Sequence, residues 1–433
     1  GRWSRGLGDV YKRQGEWMTR GITIEYNMVE DEATSWSDIM VRYAEDIRIV
    51  GNEVRCQGGA ISIAAANNTL ISGNTLTSTN TNASIFYPGI IISRGKQGQG
   101  LPARNVTIED CSLKGFERGI SIRAAEDIRI TDCTVEDADA GIEFIDVGFG
   151  DVPMVDGLIA ECTFYGCGLD IEGMEDVTFM DNTILGADVG LYFNATTHPI
   201  WDNLFTRNII KDCSEYGLSF NSTNGTNRFH LNNFINNAVH SSTPDGTDGF
   251  DDGLMYGNYW DDYEERYPDA NVTGKVWDIP YGVGGGTVMD MYPLAFAYDT
   301  QAPVANAGEQ QGGEVGSTYL LNGTGSWDDG VIVRYTWTFT YADTPVELEG
   351  ETTSFPFLLI GSYAVTLEVE DAWGNTDTNT TMVHIHDLTD PTADAGDDIE
   401  VGTGVEFTLD GSASSDRGVI VVWEWHVDPE GLD

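Results

Sequence analysis

The feature that most constrains this chain is a hexamer frame that keeps returning. "IVGNEV" (from Ile49), "ISGNTL" (Ile71), "IEDCSL" (Ile108), "ITDCTV" (Ile130), "IAECTF" (Ile159), "FMDNTI" (Phe179), "FTRNII" (Phe205) and "FHLNNF" (Phe229) share it. Their fourth position reads Asn52, Asn74, Cys111, Cys133, Cys162, Asn182, Asn208 and Asn232. Successive slots lie 20 to 37 residues apart, mostly 20 to 26. A polar turn then leads to a second apolar stretch opening with glycine: "GAISI" (Gly59), "GIIIS" (Gly89), "GISIR" (Gly119), "GIEFI" (Gly141), "GLDIE" (Gly168), "GLYFN" (Gly190) and "GLSFN" (Gly217). A unit this short cannot bury its apolar face alone, so fixed-period repetition means stacking into a solenoid.

Within each stretch apolar residues alternate with period 2, so one face of each strand points inward. The repeat predicts a parallel β-helix with two strands per repeat. Coils stack at ~4.8 Å, so the eight hexamers span roughly 35–40 Å. A leucine-rich repeat needs a denser Leu pattern, and a propeller a longer period. Like side chains then stack on like, and Asn ladders hydrogen-bond such stacks. Cys111, Cys133 and Cys162 occupy the Asn slot, where a small buried thiol fits. A disulfide between rungs and a metal site stay open, although neither His nor a CxxC pair accompanies them. Cys56, Cys167 and Cys213 lie beyond the slot.

The 433 residues carry a formal charge of −48, from 22 Lys and Arg against 70 Asp and Glu. That balance opposes nucleic acid or an anionic bilayer as partner, since phosphate binding needs cations. No apolar run reaches the roughly 18 residues of a transmembrane helix. Asn-x-Ser/Thr sequons at Asn67, Asn82, Asn105, Asn194, Asn221, Asn224, Asn271, Asn322 and Asn379 suit a glycoprotein outside the cell. Residues 1–14 hold four of the 22 basic residues, fit no later pattern and read as a non-native linker.

"LNNFINN", "GNYWDDY" (Gly257–Tyr263), "DIPY" (Asp278–Tyr281) and "YPL" (Tyr292–Leu294) resemble the end of NosD-type β-helices, part of the carbohydrate-binding and sugar hydrolase (CASH) repeat family. The resemblance covers roughly residues 44–296 and implies a right-handed parallel β-helix, usually exported. It also allows a role as a periplasmic copper accessory protein. "DANVTGKVWD" (Asp269–Asp278) departs from the acidic, Gly-broken turn common in the family. Tyr256, Trp260, Tyr263, Tyr267 and Trp277 are expected to cover the open end of the rod. After Ala302 the chain resembles a PKD domain, an Ig-like β-sandwich, through Gly323, Ser326, Asp328, Asp329, Tyr335, Trp337, Gly361, Tyr363, Val365, Leu367, Val369 and Asp371. "WTFTYAD" stands where "WDFGDG" is usual. A second copy carries Gly411, Ser412, Ser414 and Asp416, with Trp425 in the core slot. The expected fold is all-β: a right-handed parallel β-helix over 15–298 with its cap at 229–296, a PKD domain at 302–388, and a truncated second PKD domain at 389–433, the chain being a fragment.

Enzymes on such rods bind glycans along the outer strand face. The outward column of the Gly-opening strands is read as Ser62, Ile91, Ser121, Glu143, Asp170, Tyr192 and Ser219. Glu143 and Asp170 are the candidate catalytic pair, because glycoside hydrolysis needs two carboxylates roughly 5–9 Å apart. Arg123, Glu172 and Tyr192 are candidate carbohydrate-binding residues beside them. Asp245, Asp248 and Asp252, with Asp251, form an oxygen-rich loop that could hold calcium without EF-hand spacing. Three function classes follow. One is an extracellular or cell-surface protein that binds polysaccharide or matrix glycans. The second is a polysaccharide lyase or glycosidase, and the third a periplasmic copper accessory protein. A solvated acidic face is the plain alternative reading of the carboxylates.

Overall fold

The computed structural model describes residues 19–31, 37–80, 87–94, 102–123, 125–145, 154–195, 200–223, 225–244, 248–417 and 419–426. Residues 1–14 lie outside these. The chain divides into two units between Tyr298 and Asp299.

The first unit is a parallel β-solenoid of three sheets. One runs from Thr19–Glu25 to Arg228–His230, the second from Met28–Asp31 through Asn233–Ile235 to Tyr259–Trp260, and the third from Ile39–Arg42 to Tyr216–Ser222. Each full coil therefore has three strands where the repeat suggested two. The hexamer is not one strand but the corner between two. "IEDCSL" ends strand Ala103–Glu109, turns at Asp110 and opens Ser112–Lys114 just after Cys111. Asp110 has φ 52°, and the same slot holds Gly51 (63°), Asp132 (55°), Glu161 (56°) and Asp181 (56°). Gly and Asp tolerate this left-handed region better than most residues, which is why they recur there.

The corner slot after it points inward. Asn27 Nδ2 donates to Asn52 Oδ1 (3.0 Å), Asn52 to Asn74 (2.9 Å), and Asn74 to Cys111 Sγ (3.8 Å). Beyond the thiols, Cys162 N donates to Asn182 Oδ1 (3.0 Å), and Asn182, Asn208, Asn232 and Asn258 continue the amide chain at 2.8–3.0 Å. All six cysteines are buried and free. Hydrogen bonding to Cys133 and burial hold the Cys111 thiol above its usual range, and burial pushes the Cys56 thiol up to about 12. The thiols donate to main-chain oxygens, as Cys162 Sγ does to Ala160 O (3.2 Å). A second amide chain, absent from the hexamer frame, runs Asn203, Asn227, Asp248.

The core beside the ladder is Ile-rich early and Phe-rich late. Phe205, Phe229 and Phe250 stack at 4.7 and 4.9 Å. Phe234, Trp260 and Tyr281 stack at 4.4 Å each, and Tyr263 lies on Trp277 at 4.9 Å. Trp260, Tyr263 and Tyr281 are 1% exposed, so these rings close the last coil and offer no face to a sugar.

The ladder ends on Asp290, which is fully buried. It accepts from Asn258 N (2.7 Å), Trp260 Nε1 (3.0 Å) and Tyr292 N (3.1 Å). Burial pushes its carboxyl up to about 7, against the pull of those donors. An unfolded Asp titrates near ~3.9, so the folded state holds the extra proton between the two values. Its contribution is therefore fully present below ~4 and is lost as pH rises towards 7. The melting temperature is expected to fall more steeply from pH 4 to 8 in the native chain than in Asp290→Asn. Parallel slopes would remove Asp290 from this role.

The second unit contains an antiparallel-rich β-sandwich. Strands Gln311–Glu314, Thr376–His386, Gly361–Asp371, Ile332–Tyr341 and Thr344–Glu349 form one sheet in that order, and Thr318–Asn322 pairs with Thr352–Pro356 in the other. Trp337, Val365, Leu367, Val369 and Val383 are fully buried between them. The "WTFTYAD" departure is a two-residue hairpin, with Ala342 and Asp343 both at positive φ (49° and 59°), which matches the strand twist. Residues 389–426 form no strand among the described residues; a bridge joins Thr392 to Ser415, and Trp425 is 40% exposed instead of buried in a core.

Candidate functional site on the third sheet

Strand register places the expected outward column in line. Ile91 pairs with Ser121, Ser121 with Glu143, Glu143 with Asp170, Asp170 with Tyr192, and Tyr192 with Ser219. Adjacent coils are ~4.8 Å apart, so Glu143 and Asp170 are immediate neighbours. The column is not freely solvated: Ser121 is fully buried, and Glu143 and Asp170 are half-buried.

The centre of the cluster is Arg118, which alternation had hidden. By parity it belongs with inward Ile120 and Ile122, but it is the first residue of Arg118–Arg123 and swings outward there. Its Nε donates to Glu143 Oε1 at 2.8 Å, and its Nη1 lies 3.4 Å from Glu117 Oε1 and 3.7 Å from Asp139 Oδ2. Ser121 Oγ donates to Glu143 Oε2 (3.2 Å), and Arg123 Nε reaches Ser121 Oγ (3.4 Å). Burial raises the pKa of Asp170, Arg118 opposes, and Glu143 adds to the rise. Burial also raises that of Glu117. Glu143 is thus an acceptor fixed by Arg118 and Ser121, and Asp170 is a carboxyl whose burial favours its protonated form.

Arg123, Glu143, Asp170 and Tyr192 fall in one neighbourhood. Glu172 stands in the adjacent outward column that also holds Arg123: its N–H donates to Phe144 O (3.1 Å), which aligns it with Ile145, and Ile145 N donates to Ile122 O (3.0 Å). The described carboxylates of the acidic loop accept hydrogen bonds from the chain itself. Asp248 accepts from Thr223 Oγ1 (2.8 Å) and Asn227 Nδ2 (2.9 Å), and Asp252 Oδ1 takes the N–H groups of Leu254, Met255 and Tyr256. Asp251 accepts from Gly253 N (2.7 Å), and Asp245 lies outside the described residues. Among the described residues, the group of acids with converging ligand atoms is elsewhere, at Asp299, Asp328 and Asp371.

Fold and register together define a parallel β-solenoid followed by an Ig-like sandwich. Residues 88–265 match the family described as periplasmic copper-binding protein (NosD), and residues 302–384 match the PKD domain, so the chain carries a NosD-type β-helix segment followed by a PKD domain. Over 132 residues it is 36% identical to the mouse (Mus musculus) "Dyslexia-associated protein KIAA0319 homolog", covering 28% of this chain and 12% of that protein. Among solved structures it is similar to the catalytic unit of the thermostable GH87 alpha-1,3-glucanase from Streptomyces thermodiastaticus strain HF3-3. That match has 13% identity and a TM-score of 0.31, and covers 53% of this chain and 46% of the glucanase chain, too slight a likeness to bear on activity. No helix among the described residues is long and apolar enough to cross a membrane.

Proposed function

We propose that this protein is an exported or cell-surface rod that binds neutral polysaccharide along the outer face of its third sheet, with PKD modules as spacers. The observation that carries the reading is the in-register column Ser121, Glu143, Asp170, Tyr192 knotted by Arg118. Fixed carboxylates accept hydrogen bonds from sugar hydroxyls, guanidinium groups donate to them, and a tyrosine ring supplies an apolar platform. Four carboxylates (Glu117, Asp139, Glu143, Asp170) face Arg118 and Arg123, so the site repels uronate polymers and favours uncharged glycans. The same surplus of negative charge opposes the lyase reading, which requires an anionic substrate and a basic residue. Binding to a glycan panel at about 0.15 M salt is expected for neutral polysaccharides, near one Debye length of ~8 Å. Arg118→Ala is expected to weaken it at least tenfold. Absence of binding to every polysaccharide and cell-wall fraction, or unchanged affinity in Arg118→Ala, would count against the site.

Glycoside hydrolysis is the second reading. Strand spacing brings Glu143 and Asp170 close to the ~5 Å separation of retaining enzymes, and burial raises the pKa of Asp170 as a general acid requires. Reducing ends released by the native chain and abolished by both Glu143→Gln and Asp170→Asn would support it.

A further inference from the structure

We infer that Asp299, Asp328 and Asp371 form a calcium site that ties the entry of the sandwich to two of its loops. One ligand atom from each of these carboxylates lies within 4.8 Å of the others. Oxygens on opposite sides of a calcium ion are ~4.6–5.2 Å apart, twice the metal–oxygen distance. The three come from separate stretches. Asp299 opens the unit, Asp328 follows the bridge between Val304 and Trp327, and Asp371 ends strand Gly361–Asp371.

Proximity of acids is not enough, and the orphaned oxygens decide the matter. Asp299 Oδ2 and both oxygens of Asp328 are buried without a hydrogen-bond partner. The N–H groups of Asp329 and Gly330 sit close enough to Asp328 to favour its charge, yet fall outside hydrogen-bond geometry. Asp371 is 1% exposed and is held rigid by its own loop: Oδ1 accepts from Trp373 N and Asn375 N (2.8 Å each), and Oδ2 from Asn375 Nδ2 (2.7 Å). The charges that act most strongly on Asp299 and Asp328 are other carboxylates, Asp329 and Asp371 among them. Asp299 and Asp328 are half-buried residues whose unpaired oxygens are shut off from water, and a coordinated cation would offset the repulsion among the three carboxylates. The donors are all hard oxygens, which select calcium over softer metals.

An independent observation lies 88 residues on. Asp387 and Asp416 stand at that offset from Asp299 and Asp328. The surrounding frame repeats with them. Thr389 N donates to Asp387 Oδ1 as Gln301 N does to Asp299 Oδ1, and the Thr392–Ser415 bridge matches Val304–Trp327. Asp394 N donates to Ser414 Oγ as Asn306 N does to Ser326 Oγ. Between the copies Val304, Trp327 and Asp329 have become Thr392, Ser415 and Arg417, while both acids stay. A surface tolerant of those exchanges retains the two carboxylates for a reason of their own.

Terbium luminescence on the full chain tests the site, because Trp327 adjoins Asp328 and Trp373 donates to Asp371. In about 0.15 M KCl, which screens diffuse surface charge, a saturable sensitised signal displaced by calcium is expected. Asp328→Asn is expected to reduce terbium affinity at least tenfold and to abolish the rise in melting temperature that calcium gives the native chain. In chelator the same variant is expected to melt no lower than the native chain, since it relieves repulsion. Asp299→Asn is the second variant and is expected to weaken terbium in the same way. No saturable signal, or one unchanged in both variants, overturns the inference. So does an Asp328→Asn chain that melts lower in chelator, because that result makes the carboxylate a structural acceptor.

Discussion

Asn208→Ala is expected to lower the unfolding free energy of the β-helix by roughly 3–5 kcal/mol, from several unmet buried polar groups at ~1–3 kcal/mol each. The Asn208 amide accepts from both Asn182 N and Asn182 Nδ2 (3.0 Å each). It donates to Phe179 O and Asn232 Oδ1 (2.9 Å each). Alanine strips the Asn182 N–H and the Phe179 carbonyl of these partners in a dry corner, while Asn182 Nδ2 keeps Ile159 O and Met180 O (2.9 Å each). Cys133→Ala, in the same slot, is expected to cost only about 1–2 kcal/mol, a small cavity with no strong donor stranded. Denaturant unfolding of both variants gives the comparison. Equal losses would show that the slot is filled for volume and not for hydrogen bonding.

Gly168→Ala is expected to be as damaging, by sheer overlap. A Cβ there would lie 1.9 Å from Val189 O and 2.4 Å from Gly190 O, both main-chain atoms of the next coil. Neither can rotate away, so the coils must separate. The same collision recurs up the stack, with a Cβ on Gly119 2.5 Å from Gly141 O and one on Gly190 2.6 Å from Gly217 O. Overpacking typically costs ~1–3 kcal/mol, and a rigid backbone contact belongs at the upper end. Gly166→Ala is the control: a Cβ there meets nothing within 4 Å, so only its positive φ of 67° resists substitution. Melting temperatures should rank native, Gly166→Ala, Gly168→Ala. A Gly168→Ala chain as stable as the native one would refute the close-approach account of these glycines.

The repeat was legible because each coil must satisfy the same corner with the same chemistry. Asn and Cys marked the slot, and the Gly-opening stretches marked the third sheet. Strand number per coil was not legible, since the left-handed residue at the corner is Asp110 in one coil and Leu231 in another, and interrupts the strand without a constant letter. The outward column through Glu143, Asp170 and Tyr192 follows from period 2 alone. Arg118 escaped because parity fails at the first residue of a strand. Asp290 escaped for another reason: it reaches the end of the ladder from 32 residues beyond Asn258, a contact no local pattern encodes. In the sequence Asp328 and Asp371 are fold markers of the sandwich and Asp299 belongs to no pattern, because only folding brings the three together and reveals which oxygens of Asp299 and Asp328 lack partners.

The amide chain through the corners has a direction. From Asn182 onward each member donates to the one after it, and the last acceptor is a carboxylate, which when ionised has nothing to donate onward. The two ends of the rod are therefore chemically unlike, as the ends of a polar filament are. Such a molecule changes length in quanta. A whole coil can be added or deleted between Asn182 and Asn232 and the neighbours will re-engage donor to acceptor. Half a coil would set a donor against an apolar wall and turn the outer column of the third sheet away from its neighbours. The length of this rod is thus counted in coils, and any surface read along it is ruled in the same unit.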